Sequence, residues 1–266
     1  MVIAVDPQAI ADHERETWDR CAEIYADNLV PLTRQGYQLI ADAGHIRHGG
    51  HVLDIGCGPG DFTRAFSETG AIVTGVDFSP EMIRVAQDRF PRVTFKVADA
   101  ESLPFGDCSF DVVVGAYVVH HLARPDLAFR EIYRVLRPGG RFVFVIPIQE
   151  AQASFGSFFS AVGKHHEQEA LPGGPLLLEL DTNVHKSMLA AAGFAGCEIE
   201  RREVTCELKS LEPLLAGGWE IGGLFSLPKQ TQAAIEETTR KNAQPFWRND
   251  RYLFPDHVFF GSAMRG

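Results

Sequence analysis

Five short apolar runs constrain this chain more than anything else in it: HVLDIG (51–56), AIVTGVD (71–77), VTFKVAD (93–99), FDVVVGAY (110–117) and RFVFVIPI (141–148). They are rich in Val, Ile and Phe and lack the apolar–polar alternation of a strand with one face in water. Runs of that kind read as strands buried on both faces, the habit of parallel sheets. Helical candidates fill the gaps at 61–69, 80–90 and 125–136. The last stops at RPGG (137–140), where basic, Pro and Gly residues end a helix. Strands and helices in alternation predict an α/β fold: a doubly wound, mostly parallel seven-stranded sheet with N-terminal helices and a helical cap.

The flanks carry weaker patterns. Ile10, Trp18, Ile24, Tyr25, Leu29, Leu39 and Ile40 recur at helical spacing, so residues 1–48 are expected to hold N-terminal helices, broken near Pro31. Residues 50–148 form the expected core. After Pro147, residues 149–180 (with LPGGPLLLEL) read as a loop and a short helix, and a helix at 182–192 ends at Gly193. A strand at 197–204, two or more helices within 205–256 and a last strand, VFFGSAMR (258–265), complete the chain. The 266 residues are expected to form a single domain. Insertions as large as 149–180 and 205–256 beside a sheet usually cap a site. The alternative is a packing appendage that touches no ligand.

Composition excludes several classes. Apolar residues at 45% and charged residues at 23% are ordinary for a soluble chain with a sizeable core. The net charge is −10 with no basic run, which argues against nucleic acid, whose binding rests on Lys and Arg neutralising phosphates. The five cysteines, Cys21, Cys57, Cys108, Cys197 and Cys206, include no CxxC pair and are odd in number. A disulfide framework and a zinc knuckle are both disfavoured, no metal is expected, and a reducing cytoplasm fits. MVIAVDPQAIADHERE shows no signal-peptide pattern, and VVVGAYVV (112–119) is too short to span a bilayer, so no membrane partner is expected.

The stretch VLDIGCGPGDFT (52–63) joins the first strand to a helix through glycines at 56, 58 and 60. A dinucleotide fingerprint, G-x-G-x-x-G, wants its third glycine where Asp61 stands, and Asp54 precedes the loop. Two carboxylates are awkward for the pyrophosphate that a helix N-terminus would otherwise welcome. They are comfortable beside a cation. S-adenosylmethionine carries an ammonium and a sulfonium and no phosphate, and glycines let backbone approach its amino-acid part. The plain alternative is a tight strand-to-helix turn.

Further along, VTGVDFSPEMI (73–83) puts Asp77 at a strand end about 20 residues past the loop, where an acid accepts from ribose hydroxyls. Ser79 and Pro80 suit a helix start. Met82 packs either on adenine or in the core. VADAESLPF (97–105) places Asp99 to accept from the adenine amine, with the Ala100 N–H on a ring nitrogen. FDVVVGAYVVHHL (110–122) runs to the edge where open α/β sheets bind ligands, so Gly115, Ala116, Tyr117, His120 and His121 should line the pocket.

Taken in order with EIYRVLRPGGRFVF (131–144), these stretches resemble the class I S-adenosylmethionine-dependent methyltransferases, in the branch that holds quinone-biosynthesis and natural-product enzymes. The resemblance covers about residues 50–147 and is weak in the flanks, which choose the acceptor in that family. It implies that the cofactor lies against Asp54, Gly56, Cys57, Gly58, Asp77, Phe78, Met82, Asp99, Ala100, Ala116, Tyr117 and His121. Tyr25 is expected to reach over the cofactor carboxylate, as a tyrosine does in some relatives. S-adenosylhomocysteine is the product so implied, and a small molecule the acceptor.

Methyl transfer is a displacement at an already activated carbon, so the protein must mainly align the reactants, a contribution on the order of 7–11 kcal/mol. A base is needed where the acceptor must lose a proton. His120 and His121 are the expected catalytic residues, because imidazole titrates near neutrality and HHL resembles the corresponding segment of antibiotic sugar O-methyltransferases. Adjacent side chains rarely point the same way, so at most one of them is the base; the alternative is that one is a structural hydrogen-bonder and the other touches the cofactor only. A hydroxyl oxygen of a secondary metabolite or quinone-like compound is the expected acceptor; C- or N-methylation, or a cyclisation on the same fold, are the alternatives. Glu150 is a second-rank base, more simply a solvated acid. His165 and His166 read as a solvated loop, and Trp219, Phe225, Phe246 and Trp247 as walls of an acceptor pocket or plain packing. Base-modifying nucleic-acid enzymes carry an Asn/Asp-Pro-Pro-aromatic segment where this chain has GAYVVHH.

Overall fold

The computed structural model describes residues 6–167, 175–176 and 179–266. The chain opens with α1 (Pro7–Ile24), capped by the Asp6 carboxylate, which accepts from Gln8 N–H, with Pro7 at its first position. Its buried residues, Ile10, Glu14, Thr17, Cys21 and Ala22, recur at helical spacing and make one stripe. One of them is a glutamate. The break expected near Pro31 comes earlier, as a π-turn over Tyr25–Leu29. Pro31 itself is accommodated at the start of α2 (Val30–Thr33), where its missing N–H costs no helical bond. Helix α3 is Gly36–Gly44.

The core alternates as expected: β1 (His51–Ile55), α4 (Asp61–Ser67), β2 (Ile72–Asp77), α5 (Pro80–Arg89), β3 (Thr94–Val97), β4 (Phe110–Ala116), α6 (Pro125–Val135) and β5 (Leu136–Pro147). Ser79 caps α5 by accepting from Met82 N–H at 3.1 Å, with Pro80 at the first helical position. Then come α7 (Ala153–His165), α8 (Thr182–Ala191), β6 (Ala195–Leu208), α9 (Glu212–Ile221), α10 (Lys229–Ala243), β7 (Trp247–Arg248) and β8 (Arg251–Met264). Among the described residues no helix is long and apolar enough to cross a membrane.

The sheet runs in the order β3-β2-β1-β4-β5-β8-β6. Strands β1 to β5 are parallel, and β8 is antiparallel to both β5 and β6. The expected seven strands are this path. An eighth, β7, pairs only the start of β8, and two residues are too few to carry a hydropathy pattern. A larger correction concerns 205–208 and 251–256, expected within a helical insertion. Both belong to β6 and β8, which pair as far as Leu208↔Tyr252. Burial along β6 alternates from Val204 to Leu208, a period-two pattern that VTCEL itself carries over only five residues.

Helix α6 lays Ala128, Phe129, Ile132 and Val135 on the sheet against the fully buried Phe142 and Phe144. Truncating a phenylalanine at such a position costs roughly 3–5 kcal/mol. The chain order reverses at β1, which has β2 on one side and β4 on the other. The carboxyl ends of β1 and β4 therefore open the crevice where doubly wound sheets bind ligands.

Candidate active site

The loop after β1 has all three glycines in the left-handed region, at φ of 60°, 51° and 88° for Gly56, Gly58 and Gly60. Their surroundings differ. A Cβ on Gly56 would stand 2.3 Å from Val118 Cγ2, and one on Gly60 would stand 2.6 Å from Phe95 Cζ. A Cβ on Gly58 would meet only Met82 Sδ, at 3.9 Å. The outer glycines are required by packing, while the middle one faces space.

Two clefts meet at this loop and share Gly56. The first holds about 500 Å³ of empty space, open solvent included, and is lined by Phe78, Asp99, Ala100 and His121 together with Ala11, Glu14 and Glu101. The second holds about 360 Å³ and is lined by Tyr25, Asp54, Cys57, Gly58 and Ala116 together with Val30, Thr33 and Asp61. The expected cofactor residues thus divide into two sets joined at one glycine, as an elongated ligand crossing the loop would require.

Five expected residues line neither cleft. Gly115 lies within β4, where a Cβ would meet the Val118 and Phe142 side chains. Asp77, at the end of β2, lies directly behind the loop: its carboxylate accepts from Gly58 N–H at 2.9 Å and Ser79 N–H at 3.0 Å. Met82 is buried with Ala22 and Val85, packing α1 on α5, which is the core reading. Tyr117 has φ of 56°, rare for an aromatic residue, and its ring packs beside Gly36 with the hydroxyl buried and without a hydrogen-bond partner among the described residues. His120 is buried, with no hydrogen-bond partner for Nδ1 among the described residues. Burial, and to a lesser degree the charge of His121, hold its imidazolium well below the usual range, so it stays neutral.

The charges around the loop are arranged differently from the sequence expectation. Asp61 is paired with the Arg89 guanidinium, which also donates to the Pro59 carbonyl at 3.0 Å. Asp54 and Asp77 form no ion pair with a Lys, Arg or His among the described residues. Asp54 accepts from the Thr63 hydroxyl at 2.6 Å, and burial pushes its carboxyl up to about 7. Burial raises Asp77 to about 6, against the pull of the Ser79 and Gly58 N–H groups. Two buried acids without a positive partner fit a ligand that brings cationic groups and no phosphate.

His121 has a partner absent from the sequence expectations. Its Nδ1 lies 3.1 Å from Oε1 and 3.0 Å from Oε2 of Glu14, and the Trp18 indole N–H donates to the same carboxylate at 2.9 Å. The Trp18 and His121 rings meet edge-on at 5.0 Å. A glutamate in the apolar stripe of α1 is the signal that could have revealed Glu14.

The remaining candidates lie elsewhere. Glu150 is exposed on a 3-10 turn (Gln149–Ala151). His165 meets the Thr238 hydroxyl at 2.8 Å, and no group of metal-ligating side chains occurs among the described residues. Trp219 is buried edge-on against Phe158, Phe246 packs on Phe254, and Phe225 and Trp247 are exposed. LPGG (171–174), within the expected cap, lies outside the described residues.

Residues 53–144 match the family model described as Methyltransferase domain. The chain is 32% identical over 179 residues to a ubiquinone/menaquinone biosynthesis C-methyltransferase of Pseudoalteromonas translucida, covering 59% of this chain and 70% of that protein. It is 29% identical over 208 residues to a malonyl-[acyl-carrier protein] O-methyltransferase of Serratia marcescens, covering 78% of this chain and 73% of that one. In fold it is similar to the YcgJ protein of Bacillus subtilis, with a TM-score of 0.58, 22% identity, and coverage of 87% of this chain and 98% of that one. With the glycine loop, the cation-free acids and the strand order already in place, the chain belongs to the S-adenosylmethionine-dependent methyltransferase family, with S-adenosylmethionine as its methyl donor.

Proposed function

We propose that the protein methylates a hydroxyl oxygen of a small secondary-metabolite or quinone-like acceptor, with His121 as general base. The observation that carries this reading is the position of His121: it lines the cleft that meets the second one at Gly56, whereas neutral, buried His120 lines neither cleft. The sulfonium supplies an activated methyl group. The chain's own residues hold the two ends of the cofactor apart across Gly56, exclude water behind Asp54 and Asp77, and take the acceptor's proton at His121. Residues 149–180 and 205–256 are the proposed acceptor caps. In support, α7 and α9 contribute Phe158 and Trp219 to the apolar cluster against which Tyr25, a wall of the second cleft, is packed.

Carbon is the second reading for the acceptor atom, favoured by a relative named as a C-methyltransferase. A base serves both, because an ionised aromatic hydroxyl also activates its ring carbons. The deciding experiment supplies S-adenosylmethionine labelled with ¹³C in the methyl group and a panel of phenols and hydroquinones. A methoxy carbon signal supports oxygen, and a ring-methyl signal supports carbon. His121→Ala should lower turnover by about 10²–10⁴-fold, far more than it lowers S-adenosylhomocysteine affinity. Unchanged turnover in His121→Ala would remove the base from the reading.

A further inference from the structure

Glu14 projects from the buried face of α1, and its residue is 6% exposed. A carboxylate so placed is costly unless donors surround it. Among the described residues no Lys or Arg forms an ion pair with it; its partners are the Trp18 indole N–H at 2.9 Å and Nδ1 of His121 at 3.0–3.1 Å. An ionised carboxylate only accepts, so the proton between Glu14 and a neutral His121 belongs on Nδ1. The lone pair of the neutral ring is then on Nε2, which makes no hydrogen bond among the described residues, while the ring itself lines the cleft. The His120 ring lies against it, tilted at 43° with its centroid 3.9 Å away.

We propose that Glu14 is the positioning residue for His121. It holds the Nδ1–H tautomer and so presents Nε2 as the proton acceptor. In the step this serves, the acceptor O–H bond breaks as Nε2–H forms. The oxygen pair makes the new C–O bond, and the C–S pair remains on sulfur. The resulting imidazolium is held by Glu14 until it returns its proton to solvent. The logic is that of a carboxylate orienting a catalytic histidine, built here between a helix ahead of the sheet and the 3-10 turn (Val119–His121) that follows β4.

A consequence is that the base is complete only with α1 in place. That helix is tied to the core by the Ser79 hydroxyl, which donates to Asp19 at 2.5 Å, and to α9 by Arg20 on Glu220 at 3.0 Å. A substitution that loosens α9 from α1 therefore acts on the base without touching it.

This inference deepens the reading of His121 as base, and its test does not depend on turnover. Long-range ¹H–¹⁵N NMR of the full chain, labelled at histidine and held at mildly alkaline pH, reports which ring nitrogen carries the proton. His121→Asn assigns the signal by its loss. The expected result is an Nδ1–H, Nε2-bare ring in wild type and a mixture of tautomers in Glu14→Ala. The wild-type spectrum decides even if Glu14→Ala folds poorly: an Nε2–H ring there overturns the proposal. So does an unchanged tautomer in a Glu14→Ala protein that still binds S-adenosylhomocysteine. Failure of the base reading itself would show only in the turnover of His121→Ala.

Discussion

The Asp77 carboxylate accepts from the Gly58 N–H at 2.9 Å across the end of β2, so the acid behind the cofactor loop also fixes the shape of that loop. Its other oxygen accepts from Ser79 N–H, at the start of α5. Position 77 thus serves loop and helix together, and its proposed third partner is the ligand.

Replacing Asp77 with Ala should therefore do two things. It strands two N–H groups that are part-buried or buried, at about 1–3 kcal/mol for each one left unsatisfied, so the melting temperature falls. It should also weaken S-adenosylhomocysteine binding by more than about tenfold, since each good hydrogen bond to a charged group contributes about 1.5–3 kcal/mol. Calorimetry and thermal melts on the same preparation measure both. Full affinity in Asp77→Ala would mean that the carboxylate belongs to the loop alone.

The two cation-free acids predict a proton signature. Burial raises Asp54 to about 7 and Asp77 to about 6, from 3.8 for both. A raised folded value stabilises most where both states are protonated, below about pH 4, and that contribution is lost as pH rises through about 6 and then 7. A cationic ligand favours the ionised forms. Binding of S-adenosylmethionine near about pH 6 should release protons, and the release should vanish by about pH 8. Calorimetry in buffers of different ionisation enthalpy reads the proton count; none released near the lower pH would mean that the acids are already charged without ligand.

Two glycines two residues apart should respond in opposite ways. Gly58→Ala places a methyl group in open space at φ of 51°, so stability should fall by only about 1–2 kcal/mol while S-adenosylhomocysteine affinity drops more than about tenfold. Gly56→Ala drives Cβ to 2.3 Å from Val118 Cγ2, so the folded protein itself should be lost, and Val118→Ala in the same chain should partly restore it. Comparable melting temperatures for the two single variants would contradict this division.

Some of the molecule was legible from local chemistry alone. Val-, Ile- and Phe-rich runs between helical segments specify a parallel sheet because only strands covered on both faces tolerate them. The glycine spacing with Asp61 in place of a third glycine points away from a pyrophosphate, and Ser79-Pro80 announces the start of α5 at the position it occupies. Each of these is a relation between residues close in the chain, where covalent geometry decides.

What only the tertiary structure decided are pairings between distant residues. Asp61 looked like a partner for the cofactor until the fold brought Arg89 to it, 28 residues away. Tyr117 follows the strand that ends at the site, yet its left-handed backbone and Gly36 send its ring into the packing beside α3. His120 and His121 are alike as letters; burial neutralises one, and Glu14, 107 residues earlier, captures the other. The sequence by itself determined the sheet, the loop and the class of ligand, because periodicity and backbone conformation act over a few residues. The choice between two adjacent histidines was left to the folded chain, because desolvation and side-chain hydrogen bonding depend on which distant groups the packing brings within a few ångströms.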